Sequence, residues 1–227
     1  MIKKNDFIEV EFTGKISGTD EIFDTNIESD AKKANLNLKD LRPFILSVGH
    51  KMLPQGFDDD LIGKETGKKY IVQISPEKAF GKRNKEFVRM VPTKLFYEQK
   101  INPQAGMQLA LDGQLVKILS SSGGRTLVDF NNPLAGKNIN YEYNIKRVVS
   151  DTKEKIDALQ DFLFRKRFDF EIEGNVVKFK IEKELEPIIK IFSKKFEEVL
   201  QMKIESKIVA KEEKKVEKTS EIKNKVK

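Results

Sequence analysis

The sequence contains no cysteine, no tryptophan and a single histidine, His50. No disulfide can form, and no thiolate can serve as nucleophile or metal ligand. A Cys/His zinc site cannot be assembled within one chain. A Ser-His-Asp triad would have to use His50, and nothing around it resembles the strained turn that exposes a catalytic serine. No run of 18 apolar residues occurs, so no membrane-spanning helix is expected. The first residues carry lysines with no apolar stretch behind them, so a secretory signal is not expected either. With the lack of cysteine, this makes a cytoplasmic location the expectation. No metal and no cofactor is expected.

Charge is plentiful but not concentrated. The formal net charge is +7, and between Lys211 and Lys227 seven lysines meet four glutamates. That low-complexity segment, 210–227, is expected to be disordered. No dense stripe of Lys and Arg with interleaved aromatics remains elsewhere, so nucleic acid is not an expected partner.

Alternation of apolar and polar residues marks the strands. Ile8, Val10 and Phe12 alternate with Glu9, Glu11 and Thr13, the period-two pattern of a strand with one buried face. Gly14 and Gly18 bracket an expected turn, and Ile22-Phe23 begin a second strand. From Asn26 to Leu41 the chain reads as a long loop with a helical turn near Ala31–Ala34. Phe44, Leu46 and Val48 form a further strand, followed by a short helix over Pro54–Ile62. Gly63 closes that helix. Tyr70, Val72 and Ile74 alternate next, and Ser75–Asn84 is a loop. Residues 88–129 differ in character. A helical turn at Thr93–Phe96 precedes strand-like pieces at Met107–Leu111, Val116–Ser120 and Thr126–Phe130, with Asp112-Gly113 and Gly123-Gly124 as hairpin signals. Tyr141, Tyr143 and Ile145 alternate in one more strand.

After Ser150 the composition shifts. Lys153–Arg167 is predicted helical. Phe168–Ile172 and Val176–Ile181 form a hairpin about Gly174-Asn175. Pro187–Leu200 is an amphipathic helix with Ile188, Ile191, Phe192, Phe196 and Val199 or Leu200 inward, and Met202–Val209 is a last strand.

The ordered series of short motifs resembles a known family. Val10-Glu11-Phe12-Thr13-Gly14 and Phe23-Asp24-Thr25 resemble the opening strands of FKBP-type prolyl isomerases. Pro43-Phe44, Val48-Gly49 and Gly56-Phe57 resemble the next strand and short helix, Ala79-Phe80-Gly81 the pocket loop, and the strand through Tyr141 the last one. The segment opened by Phe87-Val88-Arg89-Met90-Val91-Pro92 and closed by Asp129-Phe130 through Pro133-Leu134-Ala135-Gly136 resembles the insert-in-flap domain of the SlyD-like members. The resemblance implies an α+β fold. In it, an FKBP-like antiparallel half-barrel sheet surrounds a short helix (1–87 and 130–150), with an inserted β-rich flap domain (88–129) and a C-terminal α+β domain (151–209). It also implies peptidyl-prolyl cis/trans isomerase activity, with unfolded or proline-containing polypeptides as partners and chaperone activity through the insert. Three aromatic positions depart from the family pattern: Phe80 and Phe12 stand where tyrosines are usual, and Phe57 where tryptophan is. The histidine- and cysteine-rich metal tail of bacterial SlyD is absent.

By the same resemblance, Phe12, Phe23, Phe44, Leu53, Phe57, Phe80 and Tyr141 line an apolar pocket. Phe57 lies beneath the proline ring, Tyr141 and Phe12 are walls, Phe80 caps the mouth, and Asp24 is the polar group that orients the pocket or polarises the amide. Asp24, Phe80 and Tyr141 are the expected catalytic residues. In the insert, Met90, Val91 and Phe96, with Leu95, Ile101 and Met107, are read either as a client groove or as the insert's own core. Asp58-Asp59-Asp60 lacks calcium-loop spacing and is read as the exposed start of a helix. His50 is read as a loop residue near the pocket rim. A non-catalytic holdase that binds unfolded chains is the competing function. The C-terminal domain suits pairing of two copies through edge strands, or a second client surface.

Overall fold

The computed structural model describes residues 1–19, 21–38, 41–111 and 113–209. Asp112 of the expected hairpin turn and the Lys/Glu segment 210–227 lie outside the described residues. The chain divides into two compact units, one ending at Ala158 and the other starting at Leu159. This division falls eight positions beyond the composition shift at Ser150 and inside a helix.

The first unit holds two sheets. Strand β1 (Phe7–Ile16) is the spine of the larger one. Its first half pairs with β3 (Phe44–Ser47), and its second half with β2 (Ile22–Thr25). Its other edge pairs along its length with β9 (Ile139–Val148), which in turn carries β4 (Lys69–Ile74). All these pairings are antiparallel. Two short helices accompany the sheet: α1 (Glu28–Lys33), which begins earlier than the Ala31 turn expected from sequence, and α2 (Gln55–Leu61).

Helix α2 is entered through Pro54 at its N-cap, just before the first helical residue. It sets Phe57 and Leu61, both fully buried, against the concave face of the sheet. Each such side chain contributes about 1.5–3 kcal/mol of burial. Gly56 permits the approach to β4, because a Cβ there would lie 2.4 Å from Ile74 Cγ2. The three acids of this helix are not simply its exposed start. Asp58 is buried and accepts from the backbone N–H groups of Gly49 (2.8 Å) and Lys51 (2.9 Å), which ties the loop after β3 to the helix. Asp60 accepts from the Tyr143 hydroxyl at 2.6 Å, and Asp59 remains outside. His50 is likewise buried, with a ring nitrogen 2.9 Å from Asn5 Oδ1, rather than at a rim.

Between β4 and β9 the chain forms the second sheet, in the order β5 (Val88–Pro92), β8 (Arg125–Asp129), β7 (Gln114–Ser122) and β6 (Gln108–Leu111). Helix α3 (Thr93–Glu98) follows β5. The Met90-Val91 run is therefore a strand. This sheet has a core of its own, built on Phe96, Val116, Ile118 and Val128.

Helix α4 (Thr152–Leu163) precedes a three-stranded sheet, β10 (Phe170–Glu173), β11 (Val176–Ile181) and β12 (Lys203–Ile208), with β11 central. β10 and β11 form the expected hairpin. β12 runs parallel to β11, as it must after the crossover through α5 (Glu186–Leu200). The inward face of α5 is Ile189, Phe192, Phe196 and Val199, with Ile189, Phe196 and Val199 buried and Phe192 half-buried. Ile191 is 72% exposed and Ile188 37%, so the predicted face is turned by one position at those two residues. Phe164, Phe179, Phe192 and Phe196 close this unit with ring centroids 5.5–5.9 Å apart.

Candidate functional site: an aromatic pocket beside an inserted sheet

The concave face of the larger sheet carries a continuous cluster of rings. Tyr141 on β9 lies at its centre, 4.6 Å from Phe57, 5.7 Å from Phe12 and 5.6 Å from Phe23, centroid to centroid. Phe44 packs edge-on to Phe12 at 5.7 Å, and Phe80 edge-on to Phe23 at 5.8 Å. Edge-to-face pairs at these distances contribute roughly 0.5–1.5 kcal/mol each beyond burial, so the cluster is a rigid assembly.

Exposure grades across it. Phe57, Tyr141 and Phe12 are buried, whereas Phe23, Phe44, Leu53 and Phe80 are half-buried. Phe57, Tyr141 and Phe12 form a closed floor, and Phe23, Phe44 and Phe80 an open rim. Phe12 and Tyr141, expected as walls, therefore lie deeper than that. Phe57 is itself supported from behind. Its ring stands 4.8 Å from that of Tyr143, which is held by the hydroxyl bond to Asp60.

Asp24, at the edge of the cluster, is exposed as a residue. Its carboxyl nevertheless loses hydration to the surrounding atoms, which raises its pKa above the ordinary 3.8 against the lowering pull of the Thr25 backbone N–H. Burial, with the charge of Asp24 nearby, pushes the Tyr141 phenol well above its ordinary range, so it stays protonated.

A cleft of about 500 Å³ adjoins this cluster. The sheet side contributes Ile16, Glu21 and Phe23, and the inserted sheet contributes Val116, Lys117 and Leu119. Phe23 thus belongs both to the ring cluster and to the cleft wall.

Two family models match the chain. The FKBP-type peptidyl-prolyl cis-trans isomerase model covers residues 1–105, and the FKBP26 IF-domain model covers 89–134. The short-type peptidyl-prolyl cis-trans isomerase of Methanocaldococcus jannaschii is 31% identical over 150 residues, 65% of this chain and 94% of that protein. The FKBP-type isomerase SlyD of Vibrio cholerae is 33% identical over 113 residues, 48% of this chain and 55% of that protein. The FKBP-type 16 kDa isomerase of Escherichia coli is 23% identical over 152 residues. The chain belongs to the FKBP-type peptidyl-prolyl cis-trans isomerases.

The ring cluster suits the chemistry of that family. An X–Pro bond turns slowly because amide resonance sets a barrier of about 18–20 kcal/mol. Twisting the bond breaks the resonance and reduces the charge separation of the amide. A dry aromatic surface therefore favours the twisted form over the planar one, with no nucleophile or proton transfer.

The insert corrects one group of expected site residues. Phe96, 2% exposed, lies at the centre of the insert's core and offers no contact surface, while Val91 packs against that core and is half-buried. Strand pleating explains the split at β5: Val91 points inward and its neighbour Met90 outward, 61% exposed. Leu95, Tyr97, Leu115 and Phe87 are also exposed by 46–59%. Three of these four, Leu95 aside, were not legible as surface residues in the sequence.

The junction between the two sheets is a polar clamp that sequence reasoning missed. Asp129 Oδ2 accepts from Arg83 Nε (2.9 Å) and Nη2 (2.7 Å), and its Oδ1 from Asn131 N (2.9 Å) and Nδ2 (2.7 Å). Asn131 in turn exchanges hydrogen bonds with the backbone of Asn84. The Asp-x-Asn spacing, typical of side chains that bond their own turn, was the available signal. Burial raises the Asp129 pKa, but the bonds from Asn131 and Arg83 outweigh it, and the net pKa lies below the ordinary 3.8. A carboxylate depressed in the folded state adds stability above its unfolded pKa and loses it as pH falls through the folded value. Asp129→Asn is therefore expected to lower the denaturation midpoint at pH 7. The gap to wild type should narrow below about pH 4, near the unfolded carboxylate pKa, in melts run across pH 2–7. A gap independent of pH would contradict an ionised role for Asp129.

Proposed function

We propose that this isomerase acts on X–Pro bonds in unfolded or partly folded proteins, with the inserted sheet holding the client while the aromatic pocket turns its proline. The observation that carries this reading is the cleft on which Phe23 borders the inserted sheet: a chain lying in it has its side chains within reach of the ring cluster. Met90, Leu95, Tyr97 and Leu115 supply exposed apolar area on the insert, and Met suits a surface that accepts many sequences. The prolyl ring enters between Phe23, Phe44, Leu53 and Phe80 and rests on Tyr141, Phe57 and Phe12. Asp24 orients the amide from the edge. Cytoplasmic residence goes with this reading, because newly made chains with slow X–Pro bonds occur there.

The test is the refolding of a proline-limited protein by intact enzyme, by Tyr141→Ala, and by a variant with residues 88–129 replaced by a short loop. The replacement is geometrically mild: Phe130 N donates to Phe87 O at 2.9 Å, so the two ends already meet. Intact enzyme is expected to accelerate the slow phase, and Tyr141→Ala is not. The loop variant should keep turnover on short peptides and lose at least roughly tenfold on the protein substrate, the factor that 1.4 kcal/mol of lost client binding would give. Equal activity of the loop variant on both substrates would remove the insert from the reading. Suppression of aggregation without any acceleration of the slow phase would favour a holdase, to which the exposed insert residues are equally suited.

A further inference from the structure

Tyr141 carries a hydroxyl that the ring cluster does not need. Among the described residues nothing donates to it or accepts from it, and it is not among the polar side-chain atoms sealed from solvent. By contrast, the neighbouring phenol of Tyr143 is bonded to Asp60.

The backbone explains how this hydroxyl is aimed. Gly14 on β1 is paired with Tyr141 on β9 and, on its other side, with Asp24 on β2. Direct cross-strand partners project from the same face. The three residues therefore form one row across the sheet, and its middle position has no side chain. The phenol fills that gap. A Cβ on Gly14 would lie 2.7 Å from Tyr141 Cε1 and 3.1 Å from Cζ. Strands are about 4.8 Å apart, so the ring reaches over β1 toward Asp24 and delivers its O–H at the pocket edge that borders β2.

We propose that the Tyr141 hydroxyl, laid across Gly14 beside Asp24, is the pocket's hydrogen-bond donor to a peptide carbonyl flanking the bound proline. This rests on the prolyl ring occupying the cluster as described above. Phe12, Phe23, Phe44, Phe57 and Phe80 offer no hydroxyl, so the apolar surface alone cannot fix how the peptide backbone lies on it. An O–H at the edge does so without wetting the floor. The donor holds its carbonyl in the planar and the twisted forms alike, so it contributes uniform binding. Its loss therefore weakens binding and leaves the chemical step in place.

The experiment compares Tyr141→Phe with wild type, using the full chain and a short proline peptide. It also uses two versions of the peptide in which the carbonyl before or after the proline nitrogen is a thiocarbonyl, a weaker acceptor. The Phe variant keeps the ring that stacks on Phe57, and a melt verifies that it folds. KM for the ordinary peptide is expected to rise about three- to tenfold, the value of one neutral hydrogen bond, with kcat within about twofold. One of the thio peptides should show little difference between the two enzymes, which identifies the accepting carbonyl. An unchanged KM, a fall confined to kcat, or an equal Tyr141→Phe effect on all three peptides would overturn the assignment. If Tyr141→Phe matches wild type while Tyr141→Ala is inactive, the donor fails and the pocket reading survives. If Tyr141→Ala is fully active, the pocket reading itself fails.

Discussion

Phe57→Ala is expected to cost about 3–5 kcal/mol of stability, the range for removing a fully buried aromatic ring, and to lower turnover on short peptides roughly tenfold or more. Phe57 is fully buried and touches both Tyr141, at 4.6 Å, and Tyr143, at 4.8 Å. Its removal opens a hole in the floor of the ring cluster. Tyr141 then loses its support, and water gains access to the ring cluster. Chemical denaturation checks the first effect, and peptide isomerisation well below the midpoint checks the second. Phe57→Leu should recover most of the stability and part of the turnover, because it refills the volume without the flat face. Loss of stability with normal turnover would show that the floor is merely core.

Gly14→Ala ranks next. The added methyl would sit 2.7 Å from Tyr141 and 2.8 Å from Phe23. The Tyr141 ring, 1% exposed and enclosed by Phe12, Phe23 and Phe57, cannot retreat cheaply. Overpacking of this kind costs about 1–3 kcal/mol. The sharper expectation is functional: the smallest possible side chain, at a position that itself makes no contact with a prolyl ring, should lower kcat/KM about tenfold by moving both rings. Unchanged kcat/KM with a lowered melting point would mean that the placement of the rings over β1 is not what turnover depends on.

The two glycines of the opening segment show where sequence reading reaches its limit. Gly18 has φ +78° and sits in the turn, as its type suggests. Gly14, read the same way, lies within β1. Its reason for being glycine is Tyr141, a residue far along the chain that only the β1–β9 register brings opposite it. No local pattern carries that information. The same holds for Asp58, whose partners are the backbone N–H groups of Gly49 and Lys51. Three consecutive acids at a helix start look like solvated charge until the loop that needs an acceptor is seen. Strands with alternating residues, by contrast, were legible because their burial is local: Ile8, Val10 and Phe12 are buried as their spacing predicts. Helix α5 falls in between. Adjacent apolar pairs at Ile188-Ile189 and Ile191-Phe192 allow two helical faces, and packing against Phe164 and Phe179 selects one. Met90-Val91 was ambiguous for a similar reason, as two apolar residues in a row hide the alternation of a strand.

The ring cluster itself was legible in part. Motif order supplied its members, yet not their depth. That Tyr141 lies at the centre, where a wall was expected, follows from the curvature of the sheet around α2, which the order of motifs along the chain does not encode.

The central strand also bears on the order in which the protein can be made. β1 is synthesised first, but its long partner, β9, comes last in its unit, with Ile8 opposite Val148. The entire inserted sheet emerges in between and has its own core to fold around. Once it folds, its ends are held side by side, which shortens the free chain that must still close into a loop. The entropic saving is small, below about 1 kcal/mol. The kinetic consequence is larger: contacts so distant along the chain form slowly, and until β9 arrives the short strands β2 and β3 cover only one edge of β1. A nascent chain of this architecture thus leaves one long edge of β1 uncovered until β9 has been made.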